Sequence, residues 1–467
     1  MCLIMKGSLS ASWPLLHNCR KTAIIYLIIG LSAVLSNIWF TPISEIPDEP
    51  NHFARALQIS EGHFYSKRVA PNDSGGYFPA DMMRVLHAYD DVNFHADQRV
   101  TAGRLAFVKQ NGWGGPVKYY GIANTAVNPP WSYPGVVVGI WLGRAFHFSV
   151  FTTFMLARAL TGLLAVTLTS LAIALCRRGA LFLVALASMP MTLHLFGSCS
   201  QDALLISAAF LAAALLTRQG DGAPPSWALI WGVGFCFIAF VGKPPMLVFA
   251  ILPVLTTPLI WFWRWLVSLA IPFIVSIGWA LTGIRWGKAA YESVDGKSEH
   301  GQIQYLLHHP LQFPGTMLRT FHLQGQHLSE QFIGVLGWLD TFLPRAFYVA
   351  SVIFALILLA FYLPKIRQSA WETRRVVMTL TVVICATILV CISLYVIWTI
   401  VGQDEIIGLQ GRYFIPVAAF LIVAMRPDPA LIATRPATYR LWNVVTIGYA
   451  LSSVVTMAWS LNVRYWP

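Results

Sequence analysis

The sequence is poor in charge. Lys, Arg, Asp and Glu make up only 11% of its 467 residues, while 57% are hydrophobic. Soluble domains carry roughly 25% charged residues, so this composition places the chain among membrane proteins. Cysteine is sparse too: Cys2 and Cys19 lie in the N-terminal tail, and the other five lie in or beside apolar runs. No CxxC or metal spacing occurs, so neither a disulfide framework nor a cysteine metal centre is supported. There is no Walker loop, no GxGxxG after a strand, no HExxH and no GxSxG. His308, His309, His322 and His327 have no metal spacing. The absence of an internal repeat argues against a transporter built from inverted halves. The net charge of +12 comes from Lys and Arg scattered in short loops between apolar runs, which encodes topology and not nucleic-acid binding.

What is abundant is apolar sequence. Runs of about 20 residues, each long enough to cross a bilayer as a helix, recur from Ile24 to Leu461. They predict an all-α integral membrane protein with about eleven transmembrane helices. The spans fall near residues 23–41, 152–176, 179–197, 202–217, 226–242, 245–262, 266–284, 344–363, 376–400, 411–426 and 441–461. The basic loops at 176–179, 217–222, 261–265, 364–375 and 426–440 then share a side with Arg20 and Lys21, which the positive-inside rule makes cytoplasmic. The N-terminus reads as a first span and not as a cleavable signal, because its apolar stretch is long and lacks a small-residue cleavage site.

This alternation requires that 131–146, "WSYPGVVVGIWLGRAF", does not cross. It is short, contains Pro134 and ends near Arg144, which suits an interfacial or re-entrant segment; an ordinary span is the alternative. The organisation is then a cytoplasmic tail, 1–22, and a transmembrane core, 23–284, that includes a first outer loop, 42–130. A second outer loop, 285–343, and C-terminal helices, 344–467, complete it. Loops of this length are usually functional or folded in their own right.

Four places could carry chemistry. At the exit of the first span, "SEIPDEPNHFARA" presents Asp48, Glu49, His52 and Arg55 together, with Pro47 and Pro50 bracketing the acids. A carboxylate near another in a partly desolvated cleft is suited to act as a general base; capping of the following helix is the alternative. In "GLQGRYFIPVAAF", Gln410, Arg412 and Tyr413 open an apolar helix. Arg412 offers a planar fork suited to phosphate, or else snorkels to the interface. Lys243 is a lone cation between two apolar runs and invites pairing with an anion, or else is a snorkelling turn lysine, while Asp202, at the outer end of another run, is a helix-cap candidate. Trp338 and Asp340, in "GVLGWLDTFLP", offer a stacking surface and an acceptor, or serve as belt packing.

The segments "EIPDEPNHFARALQISEG", "NPPWSYPGVVVGIWLGRAF", "ARALTGLLAV", "SQDALLISAAFLAAALL", "GVLGWLDTFLP" and "QGRYFIPV", in this order, resemble a family of bacterial predicted multi-span membrane proteins of unassigned function. That family is grouped with the GT-C-like glycosyltransferases. The resemblance covers about residues 40–425 and implies a GT-C-like fold in the bacterial inner membrane. It also implies an acidic catalytic motif in the first outer loop, where Asp48 or Glu49 stands. The implied donor is a sugar on a polyprenyl phosphate, and the implied acceptor is an envelope glycan or lipid. No cofactor beyond the lipid-linked sugar is implied, and a divalent cation stays open. His52, Arg55, Lys243, Trp338, Asp340, Gln410, Arg412 and Tyr413 are the candidate substrate-binding residues, with Arg412 and Lys243 placed to neutralise a leaving phosphate. A lipid-linked glycan flippase and a non-catalytic partner in polysaccharide assembly are the readings from other classes.

Overall fold

The structure, a computed structural model, describes residues 6–219, 224–289, 296–364 and 369–467, with side chains from residue 20 on, except that of Leu259. The basic segments at 217–222 and 364–375 therefore lie partly outside the described residues, Gly220 among them. Six helices are long and apolar enough to cross a membrane: Arg20–Phe40, Val150–Leu175, Phe262–Gly287, Arg345–Tyr362, Ala370–Trp398 and Pro436–Tyr465. Their starts are written in the sequence. Ser149 and Ser369 each accept a backbone N–H three residues on, which satisfies one of the free donors of a helix N-terminus.

Between the long helices lie shorter apolar ones, and proline decides where they break. The single span expected over 179–197 is two helices, Ala180–Ala187 and Pro190–Phe196. Pro190 has no N–H and collides with the carbonyl four residues back, so the first helix stops and a second begins with proline in its first turn. The span expected over 245–262 is likewise shortened. Tight 3-10 turns over Pro244–Ile251 lead into Leu252–Leu255, and a new helix begins at Phe262. At the centre, Asp202–Leu216 is buried almost all round by small residues, as in membrane bundles where Ala and Gly let helices approach closely.

Pro134–Ala145 is a helix of 12 residues, about 18 Å long. It lies against Val150–Leu175 so closely that a Cβ on Gly139 would stand 2.6 Å from the Ala157 Cα. The two long polar segments fold as well, and here the all-α expectation is corrected. The first contains a three-stranded antiparallel sheet, Lys67–Ala70, Asp73–Pro79 and Val117–Gly121, and the second ends in a short hairpin, Val335–Leu336 with Thr341–Phe342. Both strand sets lie outside the apolar runs, where helical periodicity gives no signal.

The connections gather at two opposite ends of the helical layer. At one, Arg178 pairs with Glu372 at 2.6 Å, Asp428 N donates to Arg177 O, and the Asp428 carboxylate accepts from Tyr362 and Tyr439. At the other, Trp338 Nε1 donates to Ser44 O, Arg464 pairs with Asp340 at 3.0 Å, and Trp466 Nε1 donates to Phe40 O. The loops grouped as basic by sequence meet at the first end, and both long polar segments meet at the second. In a cysteine-free background, Ser369→Cys and Asp97→Cys should therefore label from opposite sides of the membrane in intact cells. Labelling of both from outside with an impermeant maleimide would contradict the grouping.

Candidate functional site

The first helix ends at Phe40, and the chain that follows is pinned by a buried arginine. Arg158, deep within Val150–Leu175, donates to Thr41 O at 2.8 Å and Pro42 O at 2.9 Å. It also reaches both Glu49 oxygens, at 2.8 and 2.6 Å, and Cys199 N donates to Glu49 Oε1 at 2.9 Å. Both side chains are fully buried. Glu49 thus ties the exit of the first helix to the 150–175 helix and to the turn before Asp202. Its oxygens are all engaged, and it does not line the cavity described below.

Asp48 points elsewhere. Its backbone is left-handed (φ 62°, ψ 7°), which Asp adopts more readily than most residues, and Pro50 starts the helix Glu49–Ser60 just after it. Although Asp48 holds the position before the helix, its side chain makes no cap. Instead it accepts from Asn124 Nδ2 at 2.8 Å and faces Arg412 Nη2 at 3.8 Å, with 42% of the side chain exposed. Asn124 is itself oriented by Asn51, at 2.8 Å. A non-glycine residue held at positive φ, with an ionisable side chain open to solvent, is a pattern typical of functional sites.

Arg412 joins the two acids of the site. Its guanidinium lies 3.8 Å from Asp202 as well as 3.8 Å from Asp48, and its Nε donates to Gln410 Oε1 at 2.7 Å. Gly411 brings it there: a Cβ at this position would stand 2.0 Å from Leu328 O, so only glycine lets the 411–414 turn press against the 312–334 helix. Lys243 completes the group at 2.6 Å from Asp202, with its ammonium 4.8 Å from the Tyr413 ring centre. Because Lys243 precedes Pro244, helical backbone is disfavoured there, and the break between two 3-10 turns directs it inward. Asp202 is therefore a counter-ion to two cations. Formal charge balances, with Asp48 and Asp202 against Lys243 and Arg412.

His52 is one turn beyond Asp48. The Tyr133 hydroxyl accepts from Asn128 Nδ2 at 2.8 Å and stands 2.7 Å from His52 Nδ1. His52 Nε2 is hydrogen-bonded to Ser200 Oγ at 3.3 Å, and Ser200 Oγ accepts from Asp202 N at 3.2 Å. Burial pushes the His52 pKa down to about 4, outweighing the attraction of Asp48 and Asp202, so the ring is neutral at neutral pH. Arg55 is buried and engaged by Asn128 O, Phe64 O and Gln58 Oε1. Trp338 and Asp340 hold the 335–342 hairpin to Ser44, Phe94 and Arg464. None of these three lines the cavity.

Beside this cluster is a cavity of about 500 Å³. Asn124, Asn128, Gln201, Asp202, Lys243 and Arg412 form one side of its lining, and Leu205, Ile206, Met246, Val390, Leu394 and Ile397 supply an apolar wall. Asp48 is not in the lining but touches two residues that are, Asn124 and Arg412. Among the described residues, no group of three His, Cys, Asp or Glu side chains gathers in a way that could hold a metal ion. Sequence reasoning thus found Asp48, His52, Lys243, Arg412 and Tyr413, which the structure brings together. It missed Asn124, Asn128, Tyr133 and Ser200, whose polar side chains give no pattern in loops. It also passed over Arg158, although an arginine inside an apolar run is a signal in itself.

The long apolar helices, with charge confined to their ends or to buried pairs, define an integral membrane protein. The chain belongs to the family described as predicted membrane protein (DUF2142), which it matches over residues 31–421. The family resemblance read from the six segments is thereby borne out. No curated protein and no solved structure matches the chain.

Two outcomes test the geometry. Glu49→Gln leaves Arg158 buried without its counter-charge and should destabilise by about 3–5 kcal/mol, read as a lower melting temperature of the detergent-purified protein. Glu49→Gln/Arg158→Met should recover part of the loss, and an unchanged melting temperature in the single variant would show the pair to be dispensable. For His52, the folded pKa lies below the unfolded value near 6.5, so the unfolded chain binds more protons in between. Its contribution to stability is complete above about pH 6.5 and is lost as pH falls towards 4. The drop in melting temperature from pH 7 to pH 5 should be smaller in His52→Gln than in wild type; equal drops would place His52 outside this linkage.

Proposed function

We propose that the protein is a membrane glycosyltransferase that moves a sugar from a polyprenyl-phosphate-linked donor to an envelope glycan or lipid acceptor, on the outer face of the bacterial inner membrane. In this reading the chain is a GT-C-like protein with eleven spans and a cytoplasmic N-terminus. Six long helices cross, together with 180–196, 202–216, 227–242, 244–255 and 411–424, while 134–145 stays at the outer interface. The end that carries Asp48 is then the outer one, and the end built on Arg178, Glu372 and Asp428 is cytoplasmic.

The observation that carries the proposal is an exposed carboxylate, Asp48, 3.8 Å from a guanidinium that opens onto an amphipathic cavity. An apolar wall suits a lipid chain, and Arg412 and Lys243 suit its phosphate. Asp48 takes the proton of the acceptor hydroxyl as the oxygen attacks the anomeric carbon. The carbon–oxygen bond to phosphate breaks with inversion, and the electron pair leaves with the phosphate, whose charge Arg412 and Lys243 stabilise. Asp202 holds both cations in place before the donor arrives. Glu49, the other acid of the motif, anchors the loop through Arg158, which leaves the role of base to Asp48.

Asp48→Asn keeps shape and hydrogen bonding but cannot accept a proton, and should lower transfer about a hundredfold or more at normal protein levels. Arg412→Lys keeps the charge but loses the fork, and should also weaken transfer. The measurement is transfer of labelled lipid-linked sugar in isolated membranes. Normal transfer by Asp48→Asn would remove the proposal.

A further inference from the structure

A second charged pair lines the same cavity and has no part in the scheme above. Lys288 and Glu299 come from the second long polar segment, and Lys288 Nζ pairs with Glu299 Oε2. Arg68 Nη1 holds the Lys288 carbonyl at 3.3 Å, which fixes the backbone from the sheet of the first segment. Glu299 begins the helix Glu299–His308, yet its carboxylate is not needed as a cap, because Ser298 Oγ already accepts from Gly301 N at 3.0 Å.

Glu299 Oε1 is buried and has no hydrogen-bond partner among the described residues. Buried polar atoms nearly always have a partner, and an unpaired carboxylate oxygen is especially costly. The ammonium of Lys288 has three protons and one carboxylate beside it. Both residues thus stand together in the cavity lining, with the unpaired Oε1 buried behind it. Phosphate does not suit this place, since Glu299 repels it. Neighbouring hydroxyls do, one donating to the Glu299 carboxylate and one accepting from Lys288.

We infer that Lys288 and Glu299 bind the hydroxyls of a sugar whose phosphate is held by Lys243 and Arg412. The inference rests on the transfer reading and narrows it: the cavity takes a polyhydroxylated ring joined to a phosphate, and the second pair sets the preference among sugars.

The test is binding to the full-length protein in detergent, by calorimetry, of inorganic phosphate and of glucose, galactose and mannose 1-phosphates. Wild type should bind at least one hexose phosphate about tenfold or more tightly than inorganic phosphate. Glu299→Gln should reduce that difference to none while inorganic phosphate binds as before, and Lys288→Met should do the same by an independent change. A hexose preference that survives both variants, or no preference in wild type, overturns the inference and leaves the transfer reading standing. Phosphate binding unaffected by Arg412→Ala overturns the inference and the transfer reading together. Sugar-phosphate binding that depends on Glu299, without any transfer, removes the reaction and keeps the site.

Discussion

Arg158 sits inside an apolar helix, where no water can solvate its charge, and the segment that leaves the first helix must fold around it. Its guanidinium has five protons in a rigid fork, and four of them go to two backbone carbonyls and both oxygens of Glu49. An ion pair of this kind adds little net stability over a well-packed apolar alternative, but losing one member is severe, so it specifies one arrangement. Because Glu49 must meet Arg158, its neighbour Asp48 has to turn away, and the left-handed backbone at Asp48 is the local cost. The base proposed for catalysis is held in place by a constraint that lies outside the site.

The cations of the site arise from a second constraint, the failure of helices to continue through proline. Lys243 precedes Pro244, and Arg412 lies in a 3-10 turn just ahead of Pro416. At each break the backbone departs from the α-helix, so a long charged side chain leaves the lipid-facing surface and meets Asp202 at the start of the central helix. Charges gathered at helix breaks can be neutralised by one another when the cavity is empty and by a phosphate when it is filled.

The six long apolar helices and the gathering of loops at two ends were legible in the sequence, because length, hydropathy and basic-residue bias mark them. The breaks at Pro190 and Pro244 were legible in principle, since proline has a local steric meaning that an average over an apolar window hides. The motif at 48–55 was found by its crowding of charge, but crowding could not divide the roles. Asp48 and Glu49 are adjacent and chemically alike, and only the partner on a distant helix separates them. The same holds for Asp202, which local sequence makes a helix cap and three-dimensional contacts make a counter-ion. The polar loop residues Asn124, Asn128 and Ser200 carry no periodicity, so their convergence on Asp48 and His52 emerges only in the fold.

The central claim is that the cavity beside Asp48 holds a lipid-borne phosphate. A cryo-EM structure of the protein with bound polyprenyl phosphate tests this most directly. The account predicts phosphate density within hydrogen-bond distance of Lys243 and Arg412, with the chain along the wall of Leu205, Met246 and Leu394. Phosphate at the opposite end of the helices, among Arg178 and its neighbours, with this cavity unchanged, would contradict it.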